Sequence, residues 1–274
     1  MNSPPVVAIT GASSGIGRAT AEELAARGAT VALFGRRRDR LDAIADGIRA
    51  RGGRALAVPG DVSREEEVRA FVAVTRSHFG RLDVMICNAG IGYHGTLDDT
   101  PGPVMRRLVE TNVLGTLYAA EAALAVFRRQ GEGHIIAVSS VVGRRGVPGA
   151  SVYAATKAAQ AGLIESLRAE FAGTRLHASI VYPVGVDTEF REAQRRDFGR
   201  DVRGHGPRQS PEAVARRIAD CVERPRAEVY PYRPARALAV LTAIAPATAD
   251  RLARRFGRRV VAPADADEPE PPVT

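Results

Sequence analysis

The sequence predicts an α/β fold, a doubly wound parallel sheet covered on both faces within a single domain. Short apolar runs alternate with helix-length amphipathic segments, the order of elements that buries a parallel sheet between two layers of helices. The apolar runs are nearly continuous, not alternating with polar residues, as strands buried on both faces require. A length of 274 residues allows one large domain with a substantial core.

The strands expected are Val6–Thr10, Thr30–Phe34, Arg54–Val58, Asp83–Cys87, His134–Val138, His177–Tyr182 and Ala227–Tyr230. Each is short and rich in residues that fit a pleated, buried surface. Helices are expected near Gly15–Arg27, Arg38–Ala50, Arg64–Phe79, Pro103–Arg129, Ser151–Ala172 and Pro211–Glu223. Ser210-Pro211 supplies an N-cap followed by proline at the first helical position. From Thr188 to Gln209 the chain turns polar and arginine-rich, with Gly199, Gly204 and Gly206. That stretch reads as a long loop, functional or disordered, that orders on binding. There is no internal repeat and no domain boundary. One domain is expected over residues 1–261, with a helical segment at about 235–259, and an acidic, proline-rich, disordered tail over 262–274.

Composition excludes several functions. The net charge is +8, but the arginines are scattered in ones to threes, aromatics are 5% and there is no Trp. A surface for stacking nucleic-acid bases is therefore not expected. The charge reads as a solvated surface able to attract an acidic partner or substrate. Cys87 and Cys221 match no metal-ligand spacing, so no metal site is expected, and the thiols are read as free in a reducing, cytoplasmic setting. The N-terminus lacks a signal-peptide pattern, and no run of about 20 uncharged apolar residues exists to span a bilayer. Ala235–Ala245 is apolar and helix-prone, Pro246 interrupts it, and Arg251, Arg254, Arg255, Arg258 and Arg259 follow. Such a segment covers a pocket or an oligomer interface, or lies on an anionic membrane. Packing on the protein is the expectation here.

One position stands out. Of 39 lysines and arginines, only Lys157 is lysine. A surface cation would tolerate either residue, whereas a compact ammonium is not interchangeable with a planar guanidinium. Tyr153 lies four residues earlier, on the same helical face. A cation about 4 Å away is worth about 4 kcal/mol at an effective dielectric near 20, enough to lower a phenol pKa by up to roughly three units. Tyr153 then becomes a usable acid or base near neutrality.

The stretch Val6 to Gly17 reads as a strand, a glycine turn and a helix start. Its spacing is GxxxGxG; such a turn serves either a nucleotide or a tight connection, and at the first strand-to-helix junction it points to a pyrophosphate on the helix N-terminus. The second strand ends in Gly35, where an NAD site usually has a carboxylate, and Arg36 and Arg37 follow. No anion there repels a ribose 2′-phosphate and Arg36 can fork onto it, so NADP(H) is expected.

Taken together, Thr10-Gly11-xxx-Gly15-x-Gly17, Asp61-Val62, Asn88-Ala89-Gly90, Asn112, Ser140, Tyr153-xxx-Lys157 and Pro183 resemble, in order, the short-chain dehydrogenase/reductase family of single-domain Rossmann-type enzymes. The resemblance runs from about Val6 to Thr188. It implies catalytic roles for Asn112, Ser140, Tyr153 and Lys157: Ser140 at the substrate carbonyl, Lys157 on the nicotinamide ribose and the tyrosine pKa, Asn112 on a relay water. It implies cofactor contacts from Gly11, Ser13, Ser14, Gly15, Ile16, Gly17, Arg36, Arg37, Asp61, Val62, Asn88, Ala89, Gly90, Tyr153, Lys157, Pro183, Val186 and Thr188. Asp61 would meet the adenine and Thr188 the carboxamide. Val184 occupies the family's usual glycine position. The activity implied is hydride transfer between NADP(H) and a small-molecule ketone, aldehyde or alcohol, by a homodimer or homotetramer. A 3-oxoacyl carrier-protein reductase is the alternative enzyme, and a non-catalytic NADP-binding sensor the alternative of another class. Tyr93, His94, Val142 and the 188–209 stretch are expected around the substrate.

Overall fold

The computed structural model describes residues 4–199, 201–204, 206–253 and 258–261. Its centre is a seven-stranded, wholly parallel sheet. In chain order the strands are β1 (Val6–Thr10), β2 (Thr30–Gly35), β3 (Arg54–Pro59), β4 (Val84–Cys87), β5 (Glu132–Val138), β6 (Arg175–Val181) and, numbered after three short strands below, β10 (Glu228–Val229). They lie in the order β10-β6-β5-β4-β1-β2-β3. The order reverses beside β1, whose Val7 pairs with Val31 on one side and Val84 on the other. That switch point opens a crevice at the carboxyl ends of the strands.

Both sheet faces are apolar because helices cover both. Ala8, Phe34, Met85, Ile135 and Ile180 face a core completed by Phe71, Phe127 and Ile164 from α3 (Glu65–Phe79), α5 (Gly115–Gln130) and α6 (Ser151–Glu170). Ile9, Leu33, Ile86 and Ile136 face the opposite core with Leu24, Ile44 and Ile218 from α1 (Gly15–Ala26), α2 (Arg38–Ala50) and α8 (Pro211–Glu223). Alternate residues of one strand thus serve two cores, which is why its apolar run is unbroken.

The helix expected over Pro103–Arg129 is interrupted. It comprises α4 (Gly102–Val109), a π-helical turn over Glu110–Leu114, and α5. A π turn is a frequent mark of a functional position, and this one carries Asn112. Glycine at 115 is required nearby, since a Cβ there would lie 3.0 Å from the Val62 side chain.

The stretch expected to be a loop from Thr188 to Gln209 holds more structure than its composition suggested. It contains α7 (Phe190–Phe198), flanked by β7 (Gly185–Val186), β8 (Asp201–Gly204) and β9 (Arg208–Gln209). Gly199, with φ of 65°, ends the helix in the left-handed conformation. Exposed arginines share α7 with a more buried face of Phe190, Gln194 and Phe198, so the polar composition concealed a helix. Toward the C-terminus, α9 (Pro234–Ile244) and α10 (Pro246–Ala253) follow. Ala235 and Ala239 pack on the core and Ala249 is buried, while Ile244 is 76% exposed. The segment therefore touches the body along a narrow edge. Helix does not continue to 259: Arg258 and Arg259 lie in β11 (Arg258–Val261), antiparallel to β8. Arg254, Arg255 and the tail 262–274 lie outside the described residues. Among the described residues no helix is long and apolar enough to cross a membrane.

The Ser210 hydroxyl accepts from the Ala213 backbone N–H at 3.2 Å, capping α8. Ser210→Ala is expected to cost about 1 kcal/mol. Thermal denaturation should show a fall in Tm of about 2–4 °C.

Candidate active site

Three glycines shape the floor of the crevice. Gly11 and Gly15 have positive φ, 67° and 53°, and a Cβ on Gly17 would lie 2.3 Å from the Gly11 carbonyl oxygen. The turn therefore brings bare backbone to the N-terminus of α1, where unpaired N–H groups favour an anion. Ile16 is partly buried against the second core. The turn from Asn88 to Gly90 is stitched to it: Asn88 Nδ2 donates to the carbonyls of Thr10 (2.9 Å) and Gly11 (3.2 Å). The backbone N–H groups of Asn88 and Ala89 both donate to Thr10 Oγ1 at 3.1 Å. Thr10 is thus a site residue that sequence reasoning treated only as part of a motif.

At the end of β2, Gly35 is buried, and a Cβ there would sit 3.5 Å from Ser13 Oγ. Arg37, the residue before α2, donates from Nη2 to Ser13 Oγ (3.1 Å) and Ser14 Oγ (2.7 Å). Its Nη1 meets Glu189 Oε2 at 3.0 Å, and Arg40 Nη1 contacts both Glu189 oxygens at 2.6 and 2.7 Å. Of the two arginines expected at the 2′-phosphate, Arg36 is exposed and Arg37 is bound to the turn. Neither Arg40 nor Glu189 was singled out from sequence. Arg40 follows Arg37 by three residues, one helical turn, which is the signal that could have found it.

Lys157 and Tyr153 start α6. Lys157 is 4% exposed, and burial pushes its ammonium down to about 8. Its Nζ donates to the Val138 carbonyl (3.0 Å) and Gln160 Oε1 (3.2 Å), and lies 5.9 Å from the Tyr153 ring centre. Gly90 allows the approach, since a Cβ there would be 3.4 Å from Nζ. Ser139 is buried and donates to the Lys157 carbonyl at 2.8 Å, whereas Ser140 is half-buried at the end of β5 and its Oγ accepts from the Val142 N–H. The geometry thus gives Ser139 a structural task and leaves Ser140 facing the crevice.

Asn112 is completely buried in the π turn. Its side chain accepts from Ile91 N–H (2.8 Å) and donates to Ile91 O (2.9 Å) and Thr156 Oγ1 (3.0 Å). Its carbonyl accepts from Thr116 Oγ1 (2.8 Å) and Gln160 Nε2 (3.0 Å). Two donors, one from α5 and one from α6, thereby hold the carbonyl of the π turn. Gln160, 1% exposed, bridges Lys157 to Asn112. Sequence reasoning missed it, although a polar side chain three residues after Lys157, on the same buried face, was a readable signal.

The remaining expected contacts occupy the rim. Asp61 Oδ1 accepts from the N–H and hydroxyl of Ser63 (3.0 and 2.9 Å), and Val62 is buried. Pro183 accepts from Val141 N–H at 3.0 Å, and Val186 lies in β7. No non-glycine residue among those described has positive φ, so Val184 fits its position without strain. Thr188 lies against the glycine turn, its methyl 3.0 Å from where a Gly15 Cβ would be. Over the crevice, the Phe190 ring covers Gly92 and lies 6.2 Å from the Tyr153 ring. Gln194 bonds buried His94 at 3.0 Å, Phe198 packs edge-on against Tyr93, and Asp197 pairs with Arg107 at 2.9 Å. No cluster of His, Cys, Asp or Glu among the described residues could hold a metal ion.

Residues 5–198 match the family model described as short chain dehydrogenase. An uncharacterised oxidoreductase of Listeria monocytogenes is 39% identical over 189 residues, covering 68% of this chain and 76% of that protein. A short-chain dehydrogenase from Sphingobium yanoikuyae in complex with NADPH superposes with a TM-score of 0.76 at 28% identity, over 90% of this chain and 96% of that one. A short-chain dehydrogenase/reductase from Burkholderia phymatum in complex with NAD superposes with a TM-score of 0.80 at 23% identity, over 96% of this chain and 99% of that one; at that identity the likeness speaks for the fold.

Burial of Lys157 has a measurable consequence. Its pKa falls from the ordinary 10.5 to about 8, so between those values the unfolded chain holds a proton that the folded chain has released. Stability therefore rises with pH across that window. Relative to Lys157→Met, the wild-type protein should gain thermal stability from pH 8 to pH 10.5. Paired Tm measurements check this; a difference independent of pH would mean a lysine that titrates normally.

Proposed function

The chain belongs to the short-chain dehydrogenase family, and on that premise we propose that it interconverts a ketone or aldehyde and the corresponding alcohol, using NADP(H). The observation that carries the reading is the buried ammonium of Lys157, one helical turn from Tyr153 and beside the glycine-floored crevice. A sensor has no use for a buried cation one helical turn from a phenol.

The residues present fit a dinucleotide. Gly11, Gly15 and Gly17 let the turn close, since side chains there would strike Ala89, Thr188 and the Gly11 carbonyl, and the tight turn offers bare backbone to a pyrophosphate. Gly35 withholds a carboxylate, and Arg37, braced on Ser13 and Ser14, offers a guanidinium to a ribose 2′-phosphate. That corner supports NADP(H) over NAD(H). When bound, the nicotinamide supplies or receives the hydride.

The protein's part is orientation and proton handling. Ser140 Oγ and the Tyr153 hydroxyl would hold the substrate oxygen. In reduction Tyr153 gives that oxygen a proton, and in oxidation it takes one. The Lys157 ammonium, 5.9 Å from the Tyr153 ring centre, would favour the phenolate that remains. Gln160 and the Val138 carbonyl fix the ammonium, so its charge is already placed before reaction. Phe190, Tyr93 and His94 would surround the substrate and exclude solvent.

Binding and turnover test separate parts of this. NADPH should bind ahead of NADH, and Arg37→Ala should weaken NADPH at least about tenfold while leaving NADH little changed. Calorimetric titration checks both, and equal affinities in the wild-type protein would remove the NADP assignment. Tyr153→Phe should lower kcat/KM on any carbonyl turned over by about 100- to 10,000-fold, the range for general acid catalysis, with NADPH affinity retained. Lys157→Arg is a poorer probe, because the longer side chain overpacks a buried site.

A further inference from the structure

The lid over Tyr153 and the corner offered to a 2′-phosphate share an ion pair. Arg37 and Arg40 both hold the carboxylate of Glu189, and Glu189 immediately precedes α7. The same guanidinium group of Arg37 is bound to the hydroxyls of Ser13 and Ser14 on the glycine turn. From this anchor α7 runs over the crevice to a second one, Asp197 on Arg107. Between the two anchors, Phe190 stands over Gly92 beside Tyr153, and Gln194 seals against His94.

We propose that Glu189 is an internal stand-in for the ribose 2′-phosphate, a latch that keeps α7 closed until that phosphate takes Arg37 and Arg40 from it. The proposal rests on the NADP(H) reading above. A phosphate carries more charge than a carboxylate and has three acceptor oxygens for the same guanidinium forks. A dinucleotide without the 2′-phosphate brings nothing to that corner to compete with Glu189, so it leaves the lid anchored. Glu189 thereby contributes to cofactor selectivity by competition, and couples cofactor loading to substrate access. Arg40 and Arg37 hold its carboxyl below the ordinary carboxylate range, so it is an anion at neutral pH. The pair is also weak enough to be exchanged, since the Arg37 and Glu189 side chains remain 34% and 43% exposed.

Adenosine 2′,5′-bisphosphate and adenosine 5′-monophosphate are the probes, titrated calorimetrically into the full chain and into Glu189→Gln at fixed ionic strength. Removing the competing charge should tighten the bisphosphate by about fivefold, the worth of an exposed ion pair, and leave the monophosphate within about twofold. Hydrogen exchange supplies the second readout. Saturating bisphosphate should speed exchange of the α7 amides at least about threefold in the wild-type protein, the monophosphate should not, and Glu189→Gln should exchange fast without ligand. If the wild-type protein prefers the bisphosphate but α7 exchange and the Glu189→Gln affinity do not move, the latch is refuted and the NADP(H) reading stands. If Glu189→Gln binds the bisphosphate more weakly, Glu189 is a brace for the arginines and the latch is refuted. If the wild-type protein binds both probes equally, the NADP(H) reading fails and the latch with it.

Discussion

A single ammonium group taken out of water sets the terms for the active site. Lys157 is buried, and a buried charge is tolerated only with acceptors close by. Those acceptors come from separate parts of the chain: the last carbonyl of β5, and Gln160, whose amide leads on to the π turn between α4 and α5. The lysine therefore fixes the spacing of a sheet strand and two helices. Ser140 extends from that strand's end, Tyr153 from α6, and Asn112 from the π turn. The residues proposed to do the chemistry are positioned by what the ammonium requires.

The cofactor side follows a different rule, the absence of side chains. Gly17 lets the Gly11 carbonyl pass, Gly90 lets Lys157 Nζ pass, and Gly15 lets Thr188 rest on the turn. These are close approaches, and a Cβ at Gly17 or Gly15 would force its neighbour to shift. Thr10 and Asn88 then lock the glycine turn to the neighbouring one by four hydrogen bonds. One side of the crevice is thus built by burying a charge and the other by leaving space, and the sheet's switch point brings them face to face.

Much of this was legible in the sequence. The strands and the sheet-facing helices followed from apolar runs and helical periodicity, because a parallel sheet buried on both sides leaves little choice of residue. Lys157 was legible because the chain uses arginine at every other basic position. The π turn was not, since local propensity cannot show that Asn112 spends its side chain on the backbone of Ile91. Helix α7 was hidden by its arginines, whose solvated face outweighed the few inward residues that order it. Gln160 and Glu189 escaped notice for a shared reason: their partners lie far along the chain, or in a turn of unforeseen geometry, and a polar residue alone does not announce a partner.

The seclusion of Lys157 has a consequence for the chemistry of the whole chain. Apart from the α-amino terminus, its Nζ is the sole primary amine, and its pKa of about 8 would make it unusually nucleophilic wherever it could be reached. The outer surface carries guanidinium groups, which acylating reagents leave alone under mild conditions. Amine-directed labels, crosslinkers and carbonyl adducts therefore find no side-chain target on the exterior. The one they could modify is enclosed near Tyr153, so the extent of acylation at that position reports how often the crevice opens.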